Sequence, residues 1–126
     1  MVVSLLGDVA QAWRGNPVYG QFAFWSIVLG LIFGLPTITT GLIDYAALPQ
    51  GHPALKVAAW HMWIMLSAAT AYACSLIFRI GHLPSTGLSI ATAIGLSVLG
   101  LCLLLVGGWF GGEMVFRHGV GSRHAI

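Results

Sequence analysis

The stretch FAFWSIVLGLIFGLPTITTGLI, Phe22–Ile43, contains no charged residue. A run of about 20 mostly apolar residues is long enough to cross a ~30 Å hydrocarbon core as an α-helix. Val57–Ile80 and Gly87–Phe110 reach a similar length, and the former is interrupted only by His61 and by Arg79 near its end. Apolar and polar residues do not alternate as they do in a strand. The pattern therefore predicts three transmembrane helices rather than a barrel.

The composition of the whole chain supports this class. Of the 126 residues, 58% are hydrophobic and 6% are charged, and the mean hydropathy is +0.92. Such a chain cannot cover itself with a water-compatible surface as a monomer, so its expected surroundings are a lipid bilayer. The small number of basic residues argues against nucleic-acid binding.

The first stretch, Met1–Trp13, is too short for a full span, because about 13 residues rise only ~20 Å as a helix. It has neither a basic n-region nor a small-x-small cleavage site, so it makes a poor signal peptide. We interpret it as half of a fourth helix, with Asp8 and Arg14 near one membrane face. An interfacial amphipathic segment is the alternative.

These segments predict an all-α integral membrane bundle with three full transmembrane helices and a short or partial N-terminal fourth helix. The chain forms one membrane domain, 1–126. Its predicted helices cover approximately 2–13 (partial), 21–44, 54–80 and 86–117, and a short polar tail covers 118–126.

Because helices two to four alternate in direction, the ionisable residues gather on two sides of the membrane. Side X is defined by Arg14, Arg79 and His82. Side Y is defined by Asp44, His52, Lys56, Glu113, Arg117, His118, Arg123 and His124, with His61 one to two turns inside helix three. It holds three Lys or Arg residues, two near the helix ends and one in the tail, whereas side X holds two. The positive-inside rule therefore leaves the orientation open.

Small and weakly polar residues form one stripe on each long helix. Small residues allow helices to approach closely where lipid offers no hydrophobic drive, so these stripes are expected to face inward. Each stripe carries an ionisable residue near its Y end. The stripes are Ala23, Gly30, Gly34, Thr37, Gly41 and Asp44; Ala54, His61, Ala68, Tyr72, Ser75 and Arg79; and Ala93, Gly100, Gly107, Gly111 and His118.

The end of helix four places two charged residues four positions apart. Glu113 and Arg117 are expected to pair along a regular helix. His118 lies about 140° away from Glu113, on the glycine stripe, since each residue turns the helix by ~100°. The pair is therefore interpreted as a structural clamp, and His118 as a candidate for chemistry.

Two motifs carry a resemblance. The segment GLIDY, Gly41–Tyr45, and the segment GGWFGGEMVFRHGVG, Gly107–Gly121, together with a histidine just inside the intervening helix, resemble the bacterial membrane family catalogued as domain of unknown function 2231. The resemblance covers nearly the whole chain. It implies a small four-helix protein, multi-pass in the bacterial inner (cytoplasmic) membrane. Family members begin with a His-Pro-rich segment that this sequence lacks, and some relatives resemble fusions to a Rieske-type domain, which implies a redox setting.

The histidines carry the functional prediction. His61 and His118 lie on neighbouring antiparallel helices near side Y, and two imidazoles across a bundle are a common way to hold haem b. Met65 and Met114 are the alternative axial ligands. The same residues suit a quinone. Supporting roles are expected for Asp44, which would orient the ring of His61, and for Arg117.

Alternatives remain open at this stage. Both histidines could instead be interfacial residues hydrogen-bonded to the backbone or to Asp44. No hydrolase, kinase or metalloprotease motif is present, and scattered histidines do not predict a zinc site, so no metal is expected beyond haem iron. The sequence thus predicts an electron-transfer subunit. The other candidate is a non-catalytic accessory or assembly subunit, partnered by other membrane subunits or by further copies of itself.

Overall fold

The computed structural model describes residues 1–80 and 87–119, and this part of the chain contains four α-helices and no strand. The predicted helical bundle is therefore confirmed. Three sequence-predicted residues of the two sides, His82, Arg123 and His124, lie outside the described residues. The helices are α1 (Val2–Arg14), α2 (Pro17–Ala47), α3 (Leu55–Ile80) and α4 (Gly87–His118).

Helix α2 begins four residues earlier than the sequence pattern indicated. Asn16 caps it, because its side-chain oxygen accepts a hydrogen bond from the backbone N–H of Val18 at 3.0 Å. Pro17 occupies the first helical position, where its missing N–H costs nothing. Gly15 ends α1 with φ at 66°, a left-handed conformation that glycine adopts without strain. The connection between α1 and α2 thus shrinks to two residues.

The four helices stand at the corners of a square. The most extensive contact joins α3 to α4, while α1 lies beside α2 and α4, and α3 also lies beside α2. Three of the helices, α2, α3 and the Ile90–His118 part of α4, are long and apolar enough to cross a membrane. The protein is accordingly a multi-pass membrane bundle.

Helix α1 covers only the half of the bundle nearest side X, called the X half from here on. Its 13 residues rise roughly 20 Å. Gly7 packs directly on α2, where a β-carbon would lie 2.9 Å from the backbone oxygen of Tyr19. At the start of α1, the side chain of Met1 lies against Gly30 of α2. Helix α1 is therefore part of the bundle rather than a segment on the membrane surface.

A buried ion pair ties the X half together. Arg79 of α3 donates two hydrogen bonds to the carboxylate of Asp8 of α1, each 2.7 Å long. The side chains are only 12% and 3% exposed. This ion pair joins α1 to α3, which stand at diagonally opposite corners of the square and whose backbones do not touch among the described residues. Sequence reasoning placed both residues toward side X but did not pair them.

Two serines extend the ion pair into α4. The hydroxyl of Ser75 donates to the carbonyl oxygen of Ala93 at 2.7 Å. Ser97 then donates to the Ser75 hydroxyl, at 2.9 Å. Both serines are fully buried, and Arg79 reaches each of them at 3.4 Å. Residues of α1, α3 and α4 together thus provide hydrogen-bond partners for the ion pair, as burial in a membrane requires.

The inward small-residue stripes occur on α3 and α4 as predicted. Tyr72 is fully buried, and its ring packs on Gly100 so closely that a β-carbon there would lie 2.7 Å away. On α2 the stripe faces inward only in the X half. Its continuation, Thr37, Gly41 and Asp44, lies beyond the residues that α1 covers and is exposed.

Candidate functional site

The other half of the bundle, nearest side Y and called the Y half, contains His61 in the second turn of α3. Its Nδ1 atom lies 2.7 Å from the carbonyl oxygen of Gly107 on α4. A carbonyl oxygen only accepts, so Nδ1 carries the proton and donates. In the neutral ring the other nitrogen, Nε2, then keeps its lone pair. Among the described residues, Nε2 has no hydrogen-bond partner.

Glycine makes this hydrogen bond possible. The carbonyl of Gly107 belongs to a helix, so one of its lone pairs points to the N–H of Gly111 and the other remains available. The imidazole reaches it because Gly111 has no side chain, and a β-carbon there would lie 3.1 Å from Cε1 of His61. Gly107 and Gly111, which the sequence analysis assigned to helix packing, therefore also position the imidazole of His61.

A cavity of about 390 Å³ opens beside His61. It lies between α2, α3 and α4, at the level where α1 no longer covers α2. Most of its walls are apolar, with a few hydroxyls and one carboxylate. The lining residues are Thr37, Ile38, Thr40, Gly41, Leu42, Asp44, Tyr45, Leu48, Ala58, His61, Met62, Met65, Leu66, Met114 and Val115.

The cavity lies beyond the part of α2 that α1 covers in the described residues. In the X half, the side chain of Met1 occupies the space in front of Gly30. One and three turns further along α2, Gly34 and Gly41 have no atom within 4 Å of where a β-carbon would lie, apart from their own helix. The corner of the square that α1 fills in the X half is thus open in the Y half, and the cavity forms there.

Several residues predicted for the site meet in this cavity. His61, Asp44, Met65 and Met114 all line it. Asp44 is exposed and forms no ion pair among the described residues, so the geometry does not show it orienting His61. That role belongs to the carbonyl of Gly107.

The other two predicted residues lie elsewhere. His118 is partly exposed at the end of α4, about two helical turns beyond Gly111, and is not among the residues that line the cavity. Arg117 lies on a different side of α4, about 120° around the helix from Gly111, where it donates to Glu113 at 2.9 Å. The predicted clamp between Glu113 and Arg117 is therefore confirmed. Within the described chain, the geometry does not bring His61 and His118 to one cavity.

Two further observations concern ligand chemistry. His52 accepts a hydrogen bond from the backbone N–H of Ala54 at 3.1 Å, next to the start of α3, which is a capping role. In residues 1–80 and 87–119, no group of three or more His, Cys, Asp or Glu residues is placed to bind a metal ion.

Sequence reasoning missed two contributors to the site. The hydrogen bond from His61 goes to a backbone carbonyl, which no residue pattern reveals. Thr37 and Thr40 line the cavity, although their hydroxyls bond back to carbonyls of their own helix. The only available signal was the phase of the small-residue stripe on α2, which includes Thr37.

These features define a class: a small multi-pass membrane bundle with a cavity between three helices and a histidine hydrogen-bonded to a backbone carbonyl. The chain belongs to the family of predicted membrane proteins known as DUF2231, whose family model matches residues 1–124. No curated protein and no solved structure matches the chain significantly.

Proposed function

We propose that this protein is a small electron-transfer subunit of a bacterial inner membrane, and that it binds a quinone in the cavity beside His61. The observation that carries the proposal is the hydrogen bond from Nδ1 of His61 to Gly107, which leaves Nε2 without a partner beside an apolar cavity. An isoprenoid quinone combines a flat polar ring with an apolar tail. Such a molecule matches a cavity that is open toward lipid and has few polar groups.

The tautomer of His61 indicates which redox form binds more tightly. A neutral imidazole protonated at Nδ1 presents only an acceptor at Nε2. The reduced form, a hydroquinone, has hydroxyl donors, whereas the oxidised quinone has only carbonyl acceptors. Neutral His61 therefore favours the hydroquinone.

Haem b is the other cofactor that the residues suggest. The lone pair of Nε2 suits an axial iron ligand, and an Nδ1–H bond to a backbone carbonyl is the usual arrangement behind such a ligand. Met65 and Met114 could offer a second ligand from the same cavity. However, a volume of about 390 Å³ is near the lower end for small-molecule sites. That size favours a single six-membered ring over a porphyrin.

Binding of a short-chain hydroquinone to protein in lipid nanodiscs, followed by tryptophan fluorescence, tests the proposal. Trp60 and Trp63 flank His61 in the sequence and provide the signal. We expect saturable binding that weakens about tenfold in His61→Ala, the usual loss for one buried hydrogen bond of ~1.4 kcal/mol. His118→Ala is the matched control, and its affinity should be unchanged because His118 does not line the cavity.

A dithionite-reduced minus oxidised spectrum of the same samples separates the two cofactors. An α-band lost in both His61→Ala and His118→Ala would replace the quinone proposal with a bis-histidine haem. An α-band lost only in His61→Ala would indicate haem with a methionine as second ligand. Folded protein with neither haem nor hydroquinone binding would overturn the redox assignment and favour the accessory-subunit alternative.

A further inference from the structure

Helix α4 carries two Gly-x-x-x-Gly pairs that are offset by one residue. The first, Gly107 and Gly111, is covered by α3, since β-carbons there would meet Met65 and His61. The second, Gly108 and Gly112, points away from the bundle. Gly108 has no atom within 4 Å of a β-carbon position, and Gly112 has only the ring of Phe116 at 4.0 Å, one turn along the same helix.

The second pair forms the floor of a shallow groove on the outer face of α4. Trp109 and Phe116 are its walls, and they are 77% and 92% exposed. Every residue of the groove comes from α4, namely Gly108, Trp109, Gly112, Glu113, Phe116 and Arg117. No other described helix covers this face. Paired glycines flanked by bulky residues are the shape at which two membrane helices cross closely.

The charged residues of the groove indicate what binds in it. Arg117 donates through one nitrogen to one oxygen of Glu113, and its side chain is 75% exposed. It donates this single hydrogen bond, whereas Arg79 donates four, so most of the Arg117 donors reach no described partner. The face carries one acidic and one basic residue, so it is complementary in charge to an identical face. An identical helix related by two-fold symmetry presents a carboxylate to each guanidinium.

We propose that this groove binds α4 of a second copy of the chain and forms a parallel, two-fold symmetric dimer. Gly108 and Gly112 lie at the crossing point, where the two backbones approach. Glu113 of one copy pairs with Arg117 of the other, and the reciprocal pair forms on the far side of the axis. The symmetry axis runs along the membrane normal, because both copies insert with the same orientation. The dimer is independent of what the cavity beside His61 binds.

Charge exchange provides the decisive test. Two copies with different affinity tags are co-expressed, and co-purification in mild detergent measures their association. Glu113→Arg alone and Arg117→Glu alone each place like charges across the axis, so self-association of each should fall at least tenfold. Co-expression of the two different variants should restore association, because opposite charges then face each other. The double variant Glu113→Arg/Arg117→Glu should also self-associate.

If Glu113 and Arg117 pair only within one chain, a different pattern of association is expected. Both single variants would lose the pair within their own chain, and mixing them could not restore it. Equal association of the mixed and unmixed single variants would therefore overturn the assigned face, and so would a wild-type chain that does not associate with itself.

The glycines provide a second test that does not depend on charge. Gly108→Leu/Gly112→Leu should abolish association by separating the backbones. Gly95→Leu is the matched control, because Gly95 lies on the same helix with no atom near its β-carbon position, away from the groove. Dimers that persist in the first variant, or that are lost equally in the control, would show that the crossing lies elsewhere.

Discussion

The two ion pairs of the described chain, Asp8–Arg79 and Glu113–Arg117, differ in burial and in geometry. The first lies in the X half, is bonded through two oxygens, and is 3% and 12% exposed. The second lies in the Y half, uses one oxygen, and is 25% and 75% exposed. Burial of the first pair is possible because α1 completes the square of helices there.

The same comparison extends to the uncharged groups. In the X half, the hydroxyls of Ser75 and Ser97 both have partners inside the bundle. In the Y half, Nε2 of His61 has no described partner and a cavity opens beside it. Tyr72, one turn of α3 from Ser75, is the exception, because its buried hydroxyl has no described partner. The ion pair and the two serines thus form a satisfied network in the X half, whereas His61 faces open space in the Y half.

The largest expected effect is in the X half. Arg79→Ala leaves Asp8 as a buried charge without compensation, and such a loss costs about 3–5 kcal/mol. Reversible unfolding in mixed micelles would measure it. Arg117→Ala is the matched control, measured at a detergent excess at which the chain is monomeric, and its loss should stay within about 1 kcal/mol, as for other exposed pairs. Similar losses in the two variants would contradict the contrast between the halves.

A smaller effect is expected where α3 and α4 approach most closely. Gly100→Ala would place a methyl group 2.7 Å from the buried ring of Tyr72, and overpacking of this kind costs about 1–3 kcal/mol. Gly95→Ala, on the same helix with open space around its β-carbon position, should not lower the unfolding free energy, because alanine is favoured over glycine inside a helix by about 0.5–1 kcal/mol. If both variants are neutral in the same unfolding assay, the helices are less tightly packed than described.

In the Y half, a substitution should affect binding without affecting stability. A β-carbon at Gly41 would meet no atom within 4 Å, so Gly41→Leu should not lower the unfolding free energy by more than about 0.5 kcal/mol. The new side chain projects from the cavity wall, and hydroquinone affinity should fall about tenfold or more.

The control for this prediction is Gly34→Leu. Gly34 is equally free of neighbours but is not among the residues lining the cavity, so its affinity should match that of the unmodified chain. Equal losses of affinity in Gly34→Leu and Gly41→Leu would place the ligand outside the cavity, along the open face of α2.

Helix positions were predictable because apolar runs of span length leave few alternatives in a membrane. The start of α2 was not, since a cap at Asn16 and a proline at the first position extend the helix into a stretch that reads as a turn. The Glu113–Arg117 pair was predictable because four residues separate its members on one helix. Asp8 and Arg79 are 71 positions apart, and no local rule connects them.

The sequence alone determined the membrane class, the number of helices, the small-residue faces of α3 and α4, and the location of ionisable groups near the helix ends. These properties depend on composition and on helical periodicity, which are local. Tertiary structure decided which groups meet: Asp8 with Arg79, and His61 with the carbonyl of Gly107 rather than with His118. Contacts between helices depend on how far each helix extends and which neighbour stands at its corner. Among the described residues, α1 packs along the X half, and α2, α3 and α4 line the cavity of the Y half.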